Sequence, residues 1–169
     1  MTDHAHHRSS SPGRRWFKAG AIALIIFGAV HCLAIYKSLV VGPANPAEIE
    51  LTRNLKAYST EMGPFKPSAW HTTNLLNTSY SVLLIFAGVI NLLSLAPVVA
   101  AHKLRPLTLA NVIFTFLIAA ICLAFQFPPP LIFAGAAWFC FTMSLIRQVG
   151  AKQTGILAGA SVYPEERPR

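Results

Sequence analysis

The side chains with the most chemical capacity in this chain lie inside long apolar runs. His31 falls toward the end of the first run, and Asn74, Asn77, Ser81 and Asn91 punctuate the second. A histidine exchanges a proton near neutrality or donates an electron pair, whereas amides and hydroxyls orient a polar ligand through hydrogen bonds. An ionisable side chain in hydrocarbon is costly, so it is by default a hypothesis of function with a partner to be named. His31 precedes Lys37 by six residues, which sets it roughly 9 Å below the end of the run at 1.5 Å per residue. If the second run returns in the opposite direction, the same depth falls between Asn77 and Ser81, and one of these is the expected partner of His31. Tyr36, Trp70, His71 and Asn74 lie above that level, and Gln126 reaches it from the end of the third run. His31, Tyr36, Trp70, His71, Asn74, Asn77, Ser81 and Gln126 are therefore the candidate ligand-binding residues.

Other chemistries fit these residues less well. A bis-histidine haem would pair His31 with His71, but His71 belongs at the interface and His31 well below it. Zinc needs three or four ligands, and no carboxylate falls in an apolar run. Ser81 and His31 could be drawn as nucleophile and base, yet no glycine-rich nucleophile motif or orienting acid accompanies them. The acidic relay typical of proton-coupled transport is missing from the same runs. Cys32, Cys122 and Cys140 are odd in number and show no CxxC spacing, so they read as small packing residues. No resident cofactor or metal is expected. His4, His6 and His7 would bind metal only adventitiously.

The elements that must position these groups are membrane spans. Of 169 residues, 54% are hydrophobic, more than a water-soluble domain of this size hides. Four runs, about 16–38, 73–95, 107–127 and 131–149, approach the ~20 residues that cross the hydrocarbon as a helix. Helices are expected because lipid offers no partner to an unpaired backbone amide. Arg14-Arg15 before the first run resembles an export signal, but the long run behind it lacks a clear small-residue cleavage site, so an uncleaved first span is expected.

The net charge of +8 would suit a nucleic acid, but its distribution does not. Arg8, Arg14, Arg15 and Lys18 cluster at the start of the first run, Lys103 and Arg105 separate the second and third, and Arg147 and Lys152 cluster at the end of the fourth. That is the positive-inside pattern, which places both termini in the cytoplasm. Tails at 1–15 (disordered) and 150–169 then flank a 16–149 membrane domain. The 39–72 loop is extracytoplasmic, and within it Asn45-Pro46-Ala47-Glu48 spells a helix start. Leu51, Leu55, Tyr58 and Met62 follow on one face, predicting an amphipathic helix over about 46–60 that rests on the spans or on the outer leaflet. Pro97 and Pro106 bracket a short basic turn, and Pro128–Pro130 form a stiff reversal that makes the last two spans antiparallel neighbours.

Polar and small residues also fall into stripes. Asn74, Asn77, Ser81, Leu84, Gly88 and Asn91 alternate spacings of three and four. Thr108, Asn111, Thr115, Ile118, Cys122 and Gln126 do the same, as do Gly20, Leu24, Phe27, His31, Ala34 and Ser38. Such faces should meet one another, since membrane helices associate through small residues and interhelical hydrogen bonds. Gly28, Gly88, Asn91, Asn111 and Thr115 are assigned to packing, whereas the outer ends of the stripes carry the candidate site.

The order of features, a histidine in the first span, a long loop, a Trp-led second span with Asn77-Thr78-Ser79, and a Phe/Pro turn over 125–130, resembles small bacterial inner-membrane four-helix proteins, loosely DoxX-like. The resemblance covers about 16–147 and implies an all-α, integral membrane four-helix bundle with no assigned reaction. The expected function is a non-enzymatic inner-membrane protein with an outward-facing pocket for a lipid-like or quinone-like molecule. An accessory subunit that binds another membrane protein is the alternative, and a membrane redox or hydrolytic enzyme ranks below both.

Overall fold

The computed structural model of the chain describes residues 12–59, 61, 64–96, 101–126 and 128–160. Five helices account for nearly all of them: α1 (Pro12–Val40), α2 (Pro46–Ala57), α3 (Ala69–Leu93), α4 (Ala101–Ala124) and α5 (Pro128–Ala160). All but α2 are long and apolar enough to cross a bilayer. The chain is thus an all-α, multi-pass membrane protein. His4, His6, His7, Met62, Pro97, Phe127 and the tail from residue 161 lie outside the described residues.

The helix boundaries differ from the sequence expectation for definable reasons. Pro106 does not bracket a turn but lies inside α4, in its second turn, where it removes a single backbone donor. Pro128, Pro129 and Pro130 do not form the reversal; they are the first turn of α5. The first amides of a helix have no intrahelical acceptor, so proline's missing donor costs little there. The reversal falls instead on Phe125 and Gln126, whose amides reach Ile121 O and Leu123 O, each at 3.0 Å. Gln126 closes α4 with a left-handed φ of 51°.

Two compact units make up the fold: Ala23–Ile90, and Met1–Ile22 together with Asn91–Arg169. In the second of these, α4 and α5 pack side by side. They run antiparallel, because Gln148 reaches Thr108 at 3.0 Å while Phe116 lies against Trp138 with ring centroids 6.1 Å apart. The first turns of α1 run along α5 in the opposite sense. Ser144 donates to Gly13 O at 2.7 Å, and Phe17 meets Phe141 edge-on at 5.4 Å. Arg14 donates to Leu95 O, satisfying a backbone carbonyl just past α3. Asn91 and Asn111 exchange amide hydrogen bonds of 2.8 and 2.9 Å, the packing role expected of both.

Within Ala23–Ile90, α1 and α3 form an antiparallel pair joined by α2. Phe27 and His31 both meet the Tyr80 ring edge-on, at 6.0 and 5.7 Å. Gly28 is the point of closest approach, since a β-carbon there would lie 2.7 Å from Ser81 O. The expected stripes are buried over part of their length, whereas Ala34 and Ser38 on α1 and Gln126 after α4 are exposed. Ser81, Leu84 and Asn91 on α3 are buried, as are Leu24 and Phe27 on α1 and Thr108, Asn111, Thr115, Ile118 and Cys122 on α4. Large apolar side chains such as Leu33, Leu75, Leu83, Phe86 and Ile121 stay exposed, the arrangement lipid favours and water does not.

Candidate functional site

The elements around the site are set by short local signals. Asn45 caps α2 by accepting the Glu48 amide at 2.9 Å, and Pro46 opens the helix as its sequence predicts. Glu48 turns back so that its Oε2 accepts the Ala44 amide at 2.7 Å. The helix ends at Ala57, not near 60, because Tyr58 leaves helical geometry with ψ 114°. Ser59 then bridges to Ser68 and Ala69 N reaches Tyr58 O at 2.8 Å, which brings the end of α2 beside the start of α3.

This arrangement encloses a half-open cleft of about 500 Å³. Its walls come from the last turns of α1, the 42–44 link, one face of α2 and the first three turns of α3. Leu39, Leu51, Leu55 and Trp70 supply apolar surface, Ser38, Thr52, Thr73, Asn74 and Asn77 supply polar groups, and Lys37, Glu48 and Lys56 supply charge. Lys56 Nζ sits 5.0 Å from the Trp70 ring centroid, within cation–π range. Asn74 donates to Trp70 O at 2.8 Å. The Asn77 side chain has no hydrogen-bond partner among the described residues, so its amide is available to a guest.

The structure gathers three of the eight candidate residues, Trp70, Asn74 and Asn77, around the cleft. The other five are placed elsewhere. Ser81 is fully buried and donates to Asn77 O at 2.9 Å, satisfying its hydroxyl within its own helix. His31 does not meet Asn77 or Ser81 through a hydrogen bond; it stands edge-on to Tyr80, with its Nε2 buried and unpartnered among the described residues. Ser81 and His31 are therefore not joined as nucleophile and base. His71 is exposed and engages Ser68 Oγ through Nδ1 at 2.8 Å, part of the start of α3. Tyr36 is 60% exposed and lies outside the cleft lining. Gln126 terminates α4 and belongs to the other compact unit.

Sequence reasoning missed Lys37, Glu48, Thr52 and Lys56 as site residues. The signal was present, because the predicted amphipathic face of α2 carries Leu51 and Leu55, and Glu48, Thr52 and Lys56 are spaced by four on the adjoining strip. Among the described residues no three His, Cys, Asp or Glu side chains come together as a metal site would require. What the fold defines is a class: a four-span helical membrane protein with a cleft at one end of its first two spans. No protein-family model matches the chain, and neither a curated protein nor a solved structure shows significant similarity to it.

Proposed function

We propose that this chain is a non-enzymatic protein of the bacterial inner membrane, with both termini cytoplasmic, whose cleft opens outward and holds a lipid-like or quinone-like molecule. The observation that carries the reading is the cleft itself. Its volume of about 500 Å³ falls in the range of small-molecule sites, and its lining combines apolar walls with a few convergent polar groups. Its position at the ends of two spans suits a guest with one polar and one apolar end. The resemblance to DoxX-like inner-membrane proteins agrees with the compartment and supplies no reaction.

Occupancy is tested by native mass spectrometry of protein extracted from its own membranes. Ser38→Phe places a ring in the cleft from its α1 wall, so the wild type should retain a defined amphiphile that this variant loses. A wild type and a variant with identical, empty spectra would sink the reading. The accessory-subunit reading is favoured by one observation: α2 buries none of its residues, and Ile49 and Leu51 are 46% and 58% exposed. Ile49→Glu would then release a co-purifying membrane partner while leaving cleft occupancy unchanged.

A further inference from the structure

We propose that the guest of the cleft is an anionic glycerophospholipid, its phosphate held between Lys37 and Lys56. This rests on the reading of the cleft as an amphiphile site and names the chemistry of the head group.

The argument comes from charge. Residues 37–72 carry four cations, Lys37, Arg53, Lys56 and Lys66, and three acids, Glu48, Glu50 and Glu61. Each acid is already engaged. Glu50 pairs with Arg53 at 3.0 Å and Glu61 with Lys66 at 2.8 Å, both well exposed. Glu48 lines the cleft, but its Oε2 is held by the Ala44 amide at 2.7 Å, and it lies in the first turn of α2, where the helix dipole compensates a negative charge. The cations left without a carboxylate among the described residues are Lys37 and Lys56, and both line the same cleft. With two lysines against the single acid Glu48, the cleft lining carries a net positive charge that an entering anion offsets.

The neighbouring groups narrow the choice of anion. The Trp70 ring beneath Lys56 orients that ammonium without neutralising it. Asn77 adds an unpaired amide donor to the lining, which suits an oxygen-rich head group. Leu39, Leu51 and Leu55 line the cleft with apolar surface, and Leu33, Leu75 and Leu76 on α1 and α3 are exposed apolar side chains for acyl chains to contact. The ends of two spans lie at the head-group level of a bilayer, where a lipid phosphate is already present. A free anion would gain nothing from the apolar wall.

Native mass spectrometry of delipidated protein in detergent tests this, with phosphatidylglycerol, phosphatidylcholine or inorganic phosphate added separately. Phosphatidylglycerol should be retained over phosphatidylcholine by about fivefold per lysine, the scale of basic residues at anionic lipid surfaces. Lys37→Gln with Lys56→Gln should erase that preference with no change in melting temperature, and Lys37→Arg with Lys56→Arg should keep it. Arg53→Gln with Lys66→Gln removes equal charge outside the cleft and should leave the preference intact. Equal retention of both lipids, lost in Ser38→Phe, would overturn the anionic head group and leave the amphiphile reading standing. Retention unaffected by Ser38→Phe would overturn both. A preference that falls as far in the Arg53/Lys66 variant, or that inorganic phosphate abolishes, would assign the effect to surface charge or to a soluble anion and overturn the lipid.

Discussion

At the residue scale, most polar side chains in the spans are satisfied close to home. Ser81, Thr108 and Thr115 donate to carbonyls four residues back, at 2.9, 2.7 and 2.7 Å, which lets a membrane helix carry hydroxyls with little unmet demand. Asn91 and Asn111 differ because they also bond to each other across two helices, although Asn111 donates to Leu107 O at 2.8 Å as well. Replacing either by Ala leaves a buried amide short of a partner, and should cost about 1–2 kcal/mol. The double variant should cost less than the two single changes together, a non-additivity that a double-mutant cycle in detergent would measure. Gly28 answers to a different constraint. A β-carbon there meets Ser81 O at 2.7 Å and Ile85 N at 3.1 Å, backbone atoms that cannot swing away. Gly28→Ala should lower stability by about 1–3 kcal/mol through separation of the helices, read as a fall in thermal midpoint. The stripe spacing made these packing residues legible from sequence. The partner of His31 was not, because a ring edge such as that of Tyr80 leaves no mark in a pattern of polar residues.

At the scale of elements, caps and prolines decided what periodicity left open. The α2 start was readable because Asn45, Pro46 and Glu48 form a local grammar that needs no tertiary partner. The α4–α5 reversal was misplaced because three consecutive prolines suit either a stiff turn or a helix first turn, and only the course of the backbone separates the two. Gln126, expected in the site, supplies the left-handed residue that ends α4. That geometry costs an L-residue about 1–2 kcal/mol, so Gln126→Gly should raise stability by roughly 0.5–1 kcal/mol and leave ligand retention unchanged. A loss of retention in that variant would return Gln126 to the site.

At the scale of the whole molecule, the charge distribution makes a topological prediction. With Cys32, Cys122 and Cys140 replaced, Asn54→Cys should react with a membrane-impermeant thiol reagent applied from outside. Gln153→Cys should react only after permeabilisation. The reverse pattern would invert the topology and close the cleft to the outer side. The sequence by itself determined the four spans, the start of the short connecting helix and the buried parts of the stripes. Hydrophobic length and helical periodicity are local properties of the chain, and lipid enforces them without reference to any partner. Only the tertiary structure decided which polar groups face a cavity and which turn back on their own helix. It also decided that Lys37 and Lys56 share a cleft while Arg53 and Lys66 are neutralised by neighbouring acids. Those outcomes depend on which side chains three separate segments bring within a few ångströms, and no spacing along a single segment encodes that distance.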